Sequence, residues 1–536
     1  MPRLMGGKKG KKINISVVFI ALILFACACA HQPVAHPEEA GAFGLRLEGY
    51  PITEEKLSLR ALQYELDSQV IDFANMWFYK ELEALTNVRV EFEEVKQSDW
   101  ETKLNLMFAS GIYTDLIIRG SLNVEEYGVI QKAVIPLDDY LEEFMPNYYS
   151  RLALNNSGAG IPASDGLSYF VGFLISQEIN ADGHWFINKS WLDRLNLEVP
   201  TTIDSLTEVL RAFKMGDPNG NGQADEIPYQ ATFNNTNTGL YNMFAAWGIA
   251  QNEEFIVIDD SGQVQFTARM DGYRQCLEWL NLLYREKLID QECITQDANI
   301  WGMKVNQDTS GFFTYWRLLN SAVGGDMAEQ FVCMLPVSAE GYQARVSSTM
   351  ELAQFGAAIT VQNQYPQESL RWLDAQMETE IMMISQNGKL GDTLAKEEDG
   401  KFRVLYVPES NALYDIVPVI CGQFFGPKDY YNKIYNMAPH RAEKAGYCRW
   451  YTESGVMEPF SFQNLTMLAP LSAEDATDIN TLYSDIERYM TESITKFITT
   501  GVDDSSWQSF IGGLDSIGVE EYIRAYQGAY DKLKEK

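Results

Sequence analysis

The polar and apolar positions of the chain fall into a regular order soon after residue 50. Leu57, Leu59 and Ala61 share one face with Gln63, while Ser58 and Arg60 point the other way, the period of a half-buried strand. A helical stretch is predicted from about Met76 to Leu85. Val88, Val90 and Phe92 then alternate with Arg89, Glu91 and Glu93, which predicts a second strand. Ser98-Asp99-Trp100-Glu101 has the spacing of a capping box, and Leu104, Met107 and Phe108 supply the apolar face of the helix behind it. Asp115-Leu116-Ile117-Ile118 reads as a short buried strand. Strand, helix, strand, helix, strand opens an α/β sheet with parallel neighbours. Far downstream, Ile479, Leu482, Ile486, Met490, Ile494 and Ile498 recur every three or four residues, with Gly501 as a stop. No internal repeat and no low-complexity block interrupts the pattern.

The start of the chain follows a different logic. Arg3, Lys8, Lys9, Lys11 and Lys12 form a basic opening, and an apolar run follows from Ile13 to Ala26. The run is short for a membrane span and suits the core of a secretion signal. It ends at Leu24-Phe25-Ala26-Cys27, which resembles the lipobox of bacterial lipoproteins. That resemblance implies cleavage after residue 26, acylation of the Cys27 sulfur, and attachment to the outer face of the cell membrane. Cys29 is a second candidate, and an uncleaved anchor is the competing reading. Residues 27–50, with Pro33, Pro37, Gly41, Gly44 and Gly49, are expected to form a flexible tether.

Composition narrows the function. The 536 residues allow two to four domains or one large two-lobed protein. With 46% hydrophobic and 22% charged residues, wholesale disorder and a polytopic membrane protein are excluded. A net charge of −32 repels phosphate backbones and argues against nucleic acid as a partner. Removing residues 1–26 takes away five basic residues and no acidic ones, so the exported body is more acidic still. Four histidines, His31, His36, His184 and His440, are too few for a His-rich metal centre. The body cysteines, Cys276, Cys293, Cys333, Cys421 and Cys448, are scattered and odd in number, and buried thiols are expected.

One loop carries a metal pattern. In the segment from Asp217 to Pro228, oxygen side chains stand at positions 1, 3, 5 and 9 (Asp217, Asn219, Asn221, Asp225), with Gly222 at position 6. This is the front of an EF-hand calcium loop, in which alternate residues of a tight turn aim oxygens at a hard cation. The Gln223 carbonyl can serve position 7. Position 12 is Pro228 where an EF-hand has Glu, so the bidentate carboxylate is expected from Glu226. Structural calcium is the prediction; a metal-free Asx/Gly turn is the alternative.

Several stretches together resemble a known family. Trp100 to Asp115, Ile135-Pro136-Leu137-Asp138-Asp139, Asp165-Gly166-Leu167-Ser168-Tyr169, and above all Phe186-Ile187-Asn188-Lys189-Ser190-Trp191-Leu192-Asp193-Arg194-Leu195 followed by Val199-Pro200-Thr201-Thr202 are similar to the extracellular solute-binding lipoproteins of ABC importers. The order of these motifs, ending in the calcium-like loop and in Tyr526-Gln527-Gly528-Ala529-Tyr530-Asp531, resembles the family 1 subgroup of LipO-type and alginate-oligosaccharide-binding proteins. The resemblance covers roughly residues 50 to 536. It implies a type II periplasmic-binding-protein-like α/β fold, with two discontinuous lobes, a hinge of crossing strands and a ligand cleft. The expected division is 51–168 plus 306–365 for one lobe and 169–305 plus 366–536 for the other. The resemblance also implies an oligosaccharide ligand, ABC permease subunits as partners, a monomer, no catalysis, and calcium held by Asp217, Asn219, Asn221, Gln223, Asp225 and Glu226.

Sugar rings stack on aromatic faces and need polar side chains beside them. Candidates are Trp77 near Asn75, Trp247, Trp301, the run Tyr315-Trp316-Arg317 where the family's chain returns to the first lobe, and Trp450; core packing competes at each. Arg119, directly after the Asp115–Ile118 strand, stands where α/β ligands sit, with a structural salt bridge as the competing role. Other functions stay open at this stage: ligand presentation to a membrane sensor kinase, peptide capture, and a secreted glycosidase built on two carboxylates. No GxSxG, HExxH, P-loop or CxxC motif favours an enzyme.

Overall fold

The alternation at Leu57–Glu65 becomes a strand whose inward face, Leu57, Leu59, Ala61 and Gln63, is buried. The computed structural model describes residues 43–65, 72–120, 122–152, 163, 165–181, 183–233, 235–319, 321–405, 433–436, 439–457 and 473–535. Cys27, most of the tether and Cys421 lie outside the described residues. Phe43–Lys536 forms one unit.

In chain order the main strands are β1 (Leu57–Glu65), β2 (Val88–Lys96), β3 (Leu116–Ile118), β4 (Val171–Asn180), β5 (His184–Asn188), β6 (Ile227–Tyr229), β7 (Ile256–Ile258), β8 (Val264–Phe266), β9 (Ser310–Tyr315), β10 (Phe331–Met334) and β11 (Thr349–Ile359). The first sheet has the order β2-β1-β3-β11-β4. Its opening three strands are parallel, with Leu57 opposite Val88 and Ala61 opposite Leu116. β11 then runs antiparallel to both β3 and β4. The second sheet has the order β10-β5-β9-β6, with β6 and β9 parallel. β7 and β8 form a hairpin.

The helices obey the same arithmetic of faces. Trp77–Thr86 turns Phe78, Tyr79 and Leu82 inward, and Asn87 in a left-handed conformation redirects the chain into β2. The next helix begins at Trp100, after a single 3-10 turn over Gln97–Asp99, and buries Leu104, Met107 and Phe108. Ile203–Met215 starts on a capping box formed by Thr202 and Ser205 and buries Leu206, Leu210 and Phe213. The long helix Ala473–Thr500 buries Ile486, Met490, Ile494 and Ile498, as its spacing predicts.

Two large cores result. One surrounds the first sheet, with Leu59, Ala61, Leu116, Ile118, Ile359 and Trp372. The other joins the second sheet to the C-terminal helices, with Trp185, Ile187, Phe312, Leu277, Met490 and Ile494. β4 and β11 pass between them: Val171 and Ala357 belong to the first core, Ala181 and Val346 to the second. The partition therefore differs from the one expected from sequence. Residues 310–334 pair with β5 in the second sheet rather than returning to the first, and the helix Pro366–Ala375 packs in the first core rather than the second. The hydrophobic content of β9 fits either sheet; its pairing partner, β5, decides.

Among the described residues, Cys276, Cys293, Cys333 and Cys448 form no disulfide with one another; three are buried and Cys333 is half-buried. Burial raises the pKa of Cys276 and Cys333 above the ordinary thiol value, which keeps them unreactive.

Candidate ligand cleft and cation loop

Parallel strands of α/β sheets place ligands at their carboxyl ends. At the end of β9, Thr314 donates its hydroxyl to the Asn237 carbonyl at 2.8 Å and accepts from Asn242 Nδ2 at 2.9 Å. These bonds tie the polar stretch after β6 to the end of β9. A cavity opens beside them. Its walls include Ala181 and Gly183 beyond β4, Asn235, Thr236 and Asn242, the Gln251–Glu253 segment, and Arg345–Ser347 just before β11. The cavity thus lies where both crossing strands leave the second core.

None of these lining residues was singled out from the sequence. A signal existed: Asn234-Asn235-Thr236-Asn237-Thr238 is an unbroken run of amides and hydroxyls behind the β6 segment. Such residues hydrogen-bond in both directions, which a hydroxyl-rich ligand requires.

The predicted aromatics divide. Trp247 is 4% exposed and packs on Trp279, and Trp301 is 1% exposed. Their rings are spent on the core, so neither offers a face to a ligand, contrary to the sequence expectation. Trp301 instead stacks under Tyr315, with centroids 4.8 Å apart and planes 23° from parallel. Tyr315 and Trp316 are half-buried at the carboxyl end of β9. The Arg317 guanidinium lies 4.0 Å from the Trp316 ring centre and the Lys444 ammonium 5.5 Å from it. The Trp316 carbonyl lies 3.2 Å from Nδ1 of buried His184, and Glu443 accepts from the Leu318 and Leu319 amides, which fixes the turn beyond the strand. Trp450 is 39% exposed on the helix Pro439–Glu453.

On the first sheet, Arg119 is buried directly after β3 with φ at 68°, and its amide donates to the Gly356 carbonyl of β11. Asn75 bonds to Asp72 and lines a groove at the sheet edge with Tyr79, Phe92 and Trp372. Trp77 has the Lys389 ammonium 4.6 Å from its ring centre.

The Asp217–Glu226 loop is a separate structure, following the helix Ile203–Met215. Gly222, at φ 75°, makes the sharp turn, and its amide donates to Asp217 Oδ2 at 3.1 Å. Asn219 and Asn221 both bond through their amides to Asp225, and the Asn221 side chain accepts from the Gln223 amide. Asp217, Asn219, Asn221, Gln223 and Asp225 are therefore held in one hydrogen-bonded turn, and Glu226 follows it directly. Among the described residues no three His, Cys, Asp or Glu side chains form a metal cluster, so a cation here draws on amide and carbonyl oxygens as well. Glu226 supports the fit. Its Oε1 is buried without a hydrogen-bond partner, and burial, with Asp225 and Asp217 adding repulsion, raises its pKa. A buried acceptor with no partner is one oxygen a hard cation could use, the others coming from the amides and carbonyls of the loop.

The chain matches no family model. It is 26% identical over 545 residues to the fructooligosaccharide ABC transporter substrate-binding protein FusA of Streptococcus pneumoniae, covering 97% of this chain and 98% of that protein. The structure of FusA with kestose superimposes with a TM-score of 0.77 at 25% identity, over 89% of this chain and 99% of that one. Lipoprotein LipO of Bacillus subtilis is 23% identical over 353 residues, 63% of this chain and 67% of that protein. The alginate-binding protein AlgQ2 shares the fold, with a TM-score of 0.69 at 23% identity over 90% of this chain and all of that one. FusA is an ABC transporter substrate-binding protein, and AlgQ2 is an alginate-binding protein.

Proposed function

We propose that the chain, which is similar to FusA and LipO, is a family 1 solute-binding protein that captures an oligosaccharide outside the cell and delivers it to an ABC permease. The observation that carries the reading is the amide- and hydroxyl-lined cavity at the point where β4 and β11 leave the second core. A ligand held there touches the ends of β4 and β11, two of the segments that cross between the cores, so binding biases how the sheets are set against each other. Tyr315, supported from below by Trp301, supplies an aromatic face at the same end of β9.

Calcium belongs to this proposal as a structural ion in the Asp217–Glu226 loop. Asp217, Asn219, Asn221, Gln223, Asp225 and Glu226 would hold it, neutralising clustered carboxylates and fixing the turn. A solved form of FusA is described as an EF-hand mutant, which supports the reading. Attachment to the membrane through lipidated Cys27, and action as a monomer, complete it.

The test is a binding screen of the full chain, purified in detergent, against neutral oligosaccharides, uronic-acid oligosaccharides and short peptides. A ligand at 100 times its Kd adds about 2.7 kcal/mol to stability, a shift of several degrees in Tm. A saccharide hit supports the proposal. A shift with peptides alone overturns it.

A further inference from the structure

The polar groups of the cavity carry information about the charge of the sugar. Gln251 is 7% exposed; its Nε2 donates to the Asn252 carbonyl at 3.1 Å, while its Oε1 is buried with no hydrogen-bond partner. Asn235 turns its Oδ1 back onto its own loop, accepting from the amides of Asn237 at 2.9 Å and Thr238 at 3.1 Å, so its Nδ2 is the group left to offer. One acceptor and one donor in the same cavity match a sugar hydroxyl, which donates and accepts at once.

The charges point the same way. Arg345 is the one cation among the lining residues, and Asp260 already holds its fork, with Oδ1 at 3.0 Å from Nη1 and Oδ2 at 2.7 Å from Nη2. Glu253 lines the cavity, and Glu254 and Glu487 stand close behind it. The surrounding protein, together with Glu487, holds the Glu253 carboxyl above the usual carboxylate range. Among the described lining residues, a second carboxylate meets one acidic neighbour and one cation already paired with Asp260, whereas a hydroxyl meets partners.

We propose that this cavity receives a neutral sugar unit, its hydroxyls paired by Gln251 and Asn235, and that Glu253 repels units carrying a carboxylate while Arg345 stays paired to Asp260. The inference rests on the carbohydrate reading and names the class of sugar within it.

Isothermal titration of the full chain in calcium would use kestose and other neutral trisaccharides, uronic-acid trisaccharides, and the methyl esters of those same acids. Neutral compounds, esters among them, are expected to bind at least tenfold more tightly than the free acids. Glu253→Gln is expected to shrink that ratio several-fold, and Gln251→Leu to cost at least tenfold for the neutral compounds. Free acids that bind as tightly as their esters, or a ratio unmoved in Glu253→Gln, overturn this inference and leave carbohydrate capture standing. Absence of binding by every saccharide overturns both.

Discussion

A Cβ placed on Gly356 would stand 2.0 Å from the carbonyl oxygen of Val171. The two residues belong to the crossing strands, β11 and β4, and the Gly356 carbonyl also receives the Arg119 amide from β3. Three strands therefore meet at a point with no room for a methyl group, and the obstacle is backbone that cannot rotate aside. Gly356→Ala is expected to destabilise the protein by about 1–3 kcal/mol, the usual cost of overpacking, measured by urea denaturation. It is expected to weaken ligand binding too, because the distortion falls on the connection between the sheets. A variant as stable as the parent would mean that β4 shifts freely.

Tyr315 and Trp301 stack, yet only Tyr315 reaches the surface. Truncating each should separate binding from stability. Trp301→Ala is expected to cost about 3–5 kcal/mol of stability, as for a buried aromatic. Tyr315→Ala is expected to lower oligosaccharide affinity tenfold or more, with a much smaller change in Tm. Equal loss of stability in both, with affinity unchanged in Tyr315→Ala, would place the ligand elsewhere.

Glu254 predicts a pH dependence. Its Oε2 is buried, and burial raises its pKa from 4.5 to about 7, with Glu253 adding repulsion. Tyr522 donates its hydroxyl to the Glu254 carbonyl, and Tyr483 to that of Glu253, so the segment is pinned against the C-terminal helices. Below pH 4.5 the carboxyl is protonated in both the folded and the unfolded chain. Between 4.5 and about 7 the folded state holds the proton more tightly. Stability therefore falls as pH rises through that window, by on the order of 3 kcal/mol from this group, and is flat above it. Glu254→Gln should flatten this part of the curve in denaturation followed from pH 4 to 8.

The loop from Asp217 to Glu226 should make stability depend on calcium. Added calcium is expected to raise Tm and a chelator to lower it, in a calorimetric scan of the parent chain. Asp217→Ala combined with Asp225→Ala is expected to remove both responses while leaving saccharide affinity within a few-fold. Chelator sensitivity that persists in the double variant would locate the ion at another site.

Cys27→Ser is expected to release the protein from the membrane fraction into the medium, read by fractionation and blotting. Continued retention would identify Cys29 or the apolar run from Ile13 to Ala26 as the anchor.

Much of the first sheet was legible because its signals are local. β1, β2 and β3 each announce themselves within ten residues, and their parallel pairing follows from the helices between them. The loop at Asp217 was legible for the same reason, since its partners are neighbours in sequence. The division of the chain between the sheets was not. β9 is buried along almost its whole length, which suits either sheet, and only contact with β5 settles its place. The cavity was missed through a preference for tryptophan as the mark of a sugar site. Trp247 and Trp301 are large enough to be needed in the core, while the Asn235–Thr238 run shows its use only once Thr314 is beside it.

The first sheet also sets the order in which the protein can finish folding. β3 sits in the middle of that sheet, with Ile118 opposite Ala357. Until residues 349–359 are at hand, β3 presents an open edge, and everything made in between must wait or fold around it. Contacts so distant in sequence form slowly, and unpaired strand edges attract one another. The same delay leaves an adhesive edge uncovered for as long as the roughly two hundred intervening residues take to arrange themselves, the interval in which two copies of the chain are most prone to join.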